Sequence, residues 1–185
     1  MQNKEVSGAK SRFRRAARER LRSLSRLRAR RLDHRVRTTL AATIAAARAQ
    51  SVMLYVPLPT EVDLCPLIRT LRRRGVRIYV PFMEGESFRL VQYRLPLQTK
   101  RYGVREPKYS KQHSKQKIDI AIVPIIGTDP TLRRVGFGQG MYDRFFARTS
   151  RRICWTIFVQ RILLQSADVV TDTWDIQADA IVTGA

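Results

Sequence analysis

The sequence predicts an α/β fold in three layers, a mostly parallel sheet with helices on both faces. Two observations carry that expectation. Short β-rich runs at 51–57 (SVMLYVP), 76–82 (VRIYVPF), 118–124 (IDIAIVP) and 153–159 (ICWTIFV) are separated by helix-like or loop segments. Segment 62–74 then lies between the first two runs as a crossover closed by Gly75. The chain has 185 residues, 44% of them hydrophobic, which suffices for one sizeable core, so residues 1–185 are expected to form a single domain.

Taken in order, residues 10–22 and about 25–48 have helical periodicity. Phe13, Ala17, Leu21 and Leu24 recur at three or four residues, as do Leu32, Val36, Leu40 and Ile44. Ser23 or Ser25 is placed to cap the second helix. These basic helices, residues 1–48, are expected to pack their apolar stripe on the α/β core and leave most arginines solvated. SFRLVQYR (87–94) alternates well enough for an edge strand, and the lysine-rich 108–117 has the composition of a loop. A helix is expected over 141–148. In an open α/β sheet ligands collect beyond the carboxyl ends of the strands, so Glu61, Tyr102 and the segment after 118–124 are expected to converge on one cleft.

Composition narrows the function. No apolar run approaches 18 residues, and the start lacks an apolar signal core, which argues against membrane spanning and export and for a cytoplasmic protein. The arginine-rich start also fits an organellar transit peptide, although removing it would delete Lys10 and Arg14. Cys65 and Cys154 are far apart with no CxxC spacing or His neighbour, so they are expected to be small core residues rather than a disulfide or zinc site. His34 and His113 lie in polar, basic surroundings and are expected to be solvated. The net charge of +21 is concentrated in residues 1–50, with 15 Lys/Arg against 3 Asp/Glu, a surface that attracts polyanions without sequence preference.

The most informative stretch is RVGFGQGMYDR (134–144). Gly136, Gly138 and Gly140 alternate and run directly into an aromatic, an aspartate and a helix-like segment. Such spacing lets a backbone approach a phosphate closely, and Arg134 supplies a guanidinium beside it. The pattern is neither GxxxxGK[ST] nor GxGxxG, and by itself it fits a surface loop or bulge equally well.

With its flanks, VPIIGTDPTLRRVGFGQGMYDRFF resembles the signature of the 5-formyltetrahydrofolate cyclo-ligase family, approximately PG-x-x-F-D-x-x-G-x-R-L-G-x-G-x-G-Y-Y-D-x-x-L. Further agreement lies in YVPLPTEVDLCPLI (55–68), in the Lys10 and Arg14 pair, in YGVREP (102–107), at Gln160 and in DIQAD (175–179). The resemblance implies an ATP- and magnesium-dependent conversion of 5-formyltetrahydrofolate, mono- or polyglutamylated, into 5,10-methenyltetrahydrofolate through a phosphorylated formyl group. It implies nucleotide contacts at Lys10, Arg14, Arg134, Gly136, Gly138, Gln139, Gly140 and Tyr142, with Arg134 and Lys10 acting on the reacting phosphates. It implies folate contacts at Val56, Glu61, Tyr102, Phe137 and Met141, and magnesium at Asp143 and Asp175. No Ser-His-Asp or Cys-His arrangement competes, which suits a reaction that needs positioning and charge stabilisation rather than a side-chain nucleophile.

The departures are specific. Leu132 stands where the family has glycine, Met141 replaces the first tyrosine of the Tyr-Tyr-Asp triplet, and Trp174 replaces a frequent histidine. A leucine at 132 requires the turn at 129–133 to change shape or to carry strain. The alternative function is a basic nucleic-acid- or ribosome-associated protein that keeps the fold without the reaction. No helix-turn-helix, RRM or KH signature supports sequence-specific binding, and nucleic-acid contact would be non-specific.

Overall fold

A computed structural model of the chain describes residues 2–100, 103–108, 117–149 and 152–185, with side chains described from residue 8 onward. The basic N-terminus forms a helical hairpin of α1 (Gln2–Arg22) and α2 (Arg26–Ala46). Ser25 rather than Ser23 is the N-cap: its hydroxyl accepts from Arg28 N at 3.3 Å, whereas Ser23 Oγ donates back to Arg20 O. The apolar stripes predicted on both helices are buried at Ala17 and Leu21 and at Leu32, Val36, Leu40 and Ile44.

The main sheet has six strands, β1 (Ser51–Met53), β2 (Arg77–Glu84), β3 (Ser87–Gln92), β6 (Ile118–Pro124), β9 (Ile153–Gln160) and β10 (Ala180–Thr183). Their order is β10-β9-β6-β1-β2-β3, parallel throughout except for the antiparallel edge strand β3. Two small pairs lie outside it, β4 (Leu97–Thr99) with β5 (Arg105–Pro107) and β7 (Gly127–Thr128) with β8 (Arg134–Val135). The predicted crossover is α3 (Cys65–Arg73), and Gly75 behind it takes a φ of 77°, which favours glycine. Helix α4 (Met141–Thr149) follows the glycine loop.

Alternation along the strands divides the core into the three expected layers. Val52, Leu54, Val80 and Ile122 pack toward Val36 and Leu40 of α2 and Leu67 and Ile68 of α3. Met53, Tyr79, Ala121, Val123 and Phe158 face the other way, toward Phe145 and Phe146 of α4. Phe88 from β3 stacks on Phe145 with centroids 4.4 Å apart, closing the second face at the sheet edge.

Several details differ from the sequence expectation. Strand β10 was not anticipated: its apolar run is only Ala180 to Val182, and all four of its residues are half-buried. The two cysteines are not core residues: Cys65 is half-buried at the start of α3, and Cys154 is exposed on β9. His34 is exposed, as expected, whereas His113 and nearly all of 108–117 lie outside the described residues. Among the described residues, no helix is long and apolar enough to cross a membrane.

The turn at 129–133 resolves its conflict by strain. Leu132 adopts φ 57°, the left-handed region, with its side chain 45% exposed. The buried Asp129 holds the turn in that shape. Its carboxylate accepts from Thr131 N at 3.0 Å, Val170 N at 3.0 Å and Thr171 N at 2.8 Å, as well as from both threonine hydroxyls. Burial raises the pKa of this carboxyl, but those donors outweigh it and leave the group more acidic than usual. Leu132→Gly is therefore expected to stabilise the fold. Relief of roughly 1–2 kcal/mol of left-handed strain is offset by roughly 0.5–1 kcal/mol of added unfolded-state entropy, so urea denaturation is expected to show a higher midpoint at unchanged slope.

Candidate active site

The site is built where the chain leaves β6. From Pro124 it crosses through β7, turns at Leu132, returns as β8 and enters the loop 136–140. Arg134 sits at that return and is buried at 4% exposure. Its Nε donates to Pro124 O at 3.1 Å, Nη1 lies 3.5 Å from Asp143 Oδ2, and Cζ lies 4.8 Å from the centre of the Tyr142 ring. A Cβ on Gly136 would collide with this guanidinium, so that glycine makes room for Arg134. Gly138 differs: its φ is 106° and nothing lies within 4 Å of the space a Cβ would fill. Here the backbone is open to a ligand.

On one side of the loop lies helix α1. Arg14 Nε donates to Gly136 O at 2.9 Å, and Arg18 Nη2 donates to Phe137 O at 2.6 Å. Together with Arg15, Arg22, Phe137 and Gly138 they line a hollow of about 460 Å³. Lys10, one helical turn before Arg14, is buried and paired with Asp175, with Asp172 Oδ2 at 3.6 Å. Burial lowers the Arg14 pKa against the opposing pull of Asp175, and the neighbouring Arg18 and Arg134 lower it further. Cations thus crowd one face of the loop, the arrangement that a polyphosphate relieves.

On the other side is a cleft of about 270 Å³ beyond the carboxyl ends of β1 and β2. Val56, Glu61, Phe137 and Met141 line it, joined by Tyr55, Met83 and Phe88, which the sequence did not single out. Gln139, Gly140, Tyr142 and Arg134, expected on the nucleotide, also border this cleft, so the loop serves both hollows, with Phe137 lining each. Tyr102 lies outside the described residues; Val104 and Arg105, just after it in the sequence, line the cleft.

Glu61 is buried at 6% exposure and accepts from Leu58 N at 2.8 Å. Burial pushes its pKa up to about 7, although the Leu58 bond and the charges of Arg134 and Arg161 pull the other way. Burial likewise raises the Tyr55 and Tyr142 hydroxyls, with the Glu61 charge adding to both. Arg161 was missed by sequence reading. It forms a two-pronged ion pair with Asp33 of α2 at 2.8 and 3.1 Å and donates to Glu61 O at 2.6 Å, fixing the segment that carries Glu61. Only the tertiary structure distinguishes this arginine from the many on the surface.

Among the described residues, no three His, Cys, Asp or Glu side chains converge as a metal cage. Magnesium is commonly held by one or two carboxylates with phosphate and water completing the shell; of the two expected here, Asp143 is lightly bonded, whereas Asp175 Oδ2 already accepts from Lys10 and from Asp172 N at 2.7 Å. Asp143 Oδ1 takes a 3.3 Å bond from Ile176 N and its Oδ2 only the long contact to Arg134. Asp175 faces Lys10, and its backbone carbonyl accepts from Arg133 Nη1 at 2.9 Å.

This geometry has counterparts. A solved structure of 5,10-methenyltetrahydrofolate synthetase from Aquifex aeolicus superposes with a TM-score of 0.78 at 28% identity, covering 95% of this chain and 89% of that one. The Mycoplasma pneumoniae synthetase shares the fold, with a TM-score of 0.72 at 20% identity over 93% of this chain and 96% of that one. The 5-formyltetrahydrofolate cyclo-ligase of Escherichia coli K12 is 26% identical over 142 residues, 73% of this chain and 78% of its own. The model of the 5-formyltetrahydrofolate cyclo-ligase family matches residues 6–184, and the chain belongs to that family.

Proposed function

We propose that this enzyme closes 5-formyltetrahydrofolate to 5,10-methenyltetrahydrofolate at the expense of ATP, with magnesium, as one domain in the cytoplasm. The observation that supports this most directly is the position of Arg134, whose guanidinium borders the apolar cleft and lies in the same charge field as Arg14 of the basic hollow. A folate in the cleft and a triphosphate in the hollow would meet at this side chain.

A formyl amide is a poor electrophile with a poor leaving group. Transfer of the γ-phosphoryl group to the formyl oxygen releases ADP and makes that oxygen a leaving group. N10 of the same folate then attacks the formyl carbon, loses its proton, and phosphate departs with the former formyl oxygen. The second step is intramolecular, so the protein's task is placement and charge compensation.

Val56, Phe137, Met141 and Tyr102 would enclose the pterin, and the Glu61 carboxylate would accept from its N–H groups. Lys10, Arg14 and Arg134 would take the phosphates, with Gly138 and Gly140 admitting them to the backbone and Gln139 and Tyr142 closing over them. Magnesium held by Asp143 and Asp175 would neutralise phosphate charge. Lys10 would then exchange part of its contact with Asp175 for a phosphate oxygen. Met141 lacks a hydroxyl, so Tyr142 is the one phenol of that helix turn, and burial keeps it protonated as a donor.

The test is absorbance of methenyltetrahydrofolate formed from 5-formyltetrahydrofolate, with ATP and magnesium omitted in turn. Product that requires both is expected, and Arg134→Ala or Asp143→Ala is expected to lower kcat/KM by about 100-fold or more. Folded protein that makes no product would overturn the proposal.

The titration of Glu61 adds a pH dependence. Pterin donors favour the carboxylate, while the free enzyme holds the proton up to about pH 7. Affinity therefore improves as pH rises through that value and levels off above it. KM for the folate is expected to follow this curve, and Glu61→Gln is expected to flatten it while raising KM roughly 10- to 100-fold.

A further inference from the structure

Most of the arginines on the N-terminal hairpin have no part in the site described above. Arg14 and Arg18 hold the glycine loop, and Arg37 donates to Asp63 O. Arg12, Arg15, Arg20 and Arg22 on α1 are exposed, Arg15 and Arg22 where they also line the basic hollow, as are Arg26, Arg28, Arg30, Arg31 and Arg35 at and along α2. Among the described residues, none of these nine makes a salt bridge. Glu19 is the sole exposed acid between residues 8 and 37, because Asp33 is buried against Arg161.

The arrangement works against the stability of the helices that carry it. Arg26 and Arg28 occupy the first turn of α2, which contains no acid, so their charges face the positive end of the helix dipole. Arg28, Arg31 and Arg35 repeat at three and four residues along one stripe, where like charges repel. Of the three, Arg35 alone is anchored, donating to Gly184 O at 3.2 Å. Arg30, Arg31, His34 and Arg35 also border a shallow hollow of about 330 Å³ on the outside of α2. None of these α2 residues lines the apolar cleft or the hollow beside the glycine loop.

We propose that the outer face of the α1–α2 hairpin binds the phosphate backbone of double-stranded RNA without reading its sequence. Guanidinium forks match phosphate oxygens in pairs, and two arginine-bearing helices joined at a short turn present charge over a distance comparable to several phosphates. A membrane surface would need an apolar margin, and among the described residues Leu27 is the only large hydrophobic side chain exposed on the hairpin. Single strands are gripped on exposed Phe, Tyr or Trp, and among the described residues of the hairpin none is exposed, while the deep, narrow major groove of an A-form duplex keeps its base edges from these arginines. What remains is recognition of regularly spaced phosphates, and in the cytoplasm proposed above that polyanion is folded RNA.

The test is fluorescence anisotropy of a labelled 20-base-pair RNA duplex titrated with the full chain between 50 and 200 mM salt. With about five phosphates neutralised, the plot of log affinity against log salt is expected to have a slope of about −4.5, a loss of roughly 500-fold over that range. The combined change Arg26→Gln, Arg28→Gln, Arg30→Gln and Arg31→Gln is expected to flatten the slope by about 3 to 4 while leaving folate turnover and the far-ultraviolet circular dichroism unchanged. The matching four Arg→Lys changes are expected to keep most of the slope, which separates charge from fold. Absence of binding by the wild-type chain, or an unchanged slope in the glutamine variant, would overturn the proposal. So would displacement of the duplex by a polyglutamate peptide at equal charge concentration, which would mark a general anion sink. Turnover is read separately, so failure of RNA binding leaves the folate reaction untouched.

Discussion

The buried guanidinium of Arg134 is the constraint on which the site depends. A charge at 4% exposure is costly unless its donors are satisfied, and this one is held by the Pro124 carbonyl, the Asp143 carboxylate and the Tyr142 ring. The partners come from two parts of the fold: Pro124 from the end of β6, and Tyr142 and Asp143 from the first turn of α4, where the Tyr142 ring also walls the apolar cleft. The requirement for a hydrogen in place of a side chain at Gly136 follows from the same group. One desolvated cation therefore fixes the strand end, the glycine loop and the start of α4 relative to one another.

The helical hairpin is tied to this centre at two places by buried ion pairs. Lys10 meets Asp175 beside the basic hollow, and Asp33 meets Arg161 behind the Glu61 segment. Such pairs contribute little net stability compared with apolar replacements, but losing one partner strands the other in a dry interior. Their effect is to specify position. The N-terminal helices are thereby held against the candidate site by one face, with the opposite face left to solvent and its charges.

The sequence made legible whatever depends on local pattern. The parallel strands at 51, 76, 118 and 153, the α3 crossover and the edge strand at 87 followed from apolar runs, alternation and Gly75. Fixed spacing made the Arg134 and glycine loop legible, and helical periodicity placed Lys10 and Arg14 on one face. Groups defined only by distant partners stayed hidden. Asp33 and Arg161 look like two charges among dozens until the fold buries them together, and β10 needs β9 beside it to become a strand. Gly136 was read with Gly138 and Gly140 as letting the backbone approach a phosphate; the structure adds that the Arg134 guanidinium occupies the space a Cβ there would need. The conflict at Leu132 was visible in advance, and the outcome was decided by Asp129, whose five bonds force the backbone into the left-handed region.

The contact between Lys10 and Asp175 spans 165 residues of sequence, and that from Arg14 to Gly136 spans 122. Contacts of such separation form late, because the intervening chain must be synthesised and ordered first. Helix α1 packs on α2 at once through Leu21 and Leu32, but its loop contacts wait for residues 136 and 137 and its Lys10 pair waits for residue 175. The basic hollow beside the loop is therefore a property of the nearly finished chain, because α1 supplies one wall of it and residues 137 and 138 the other.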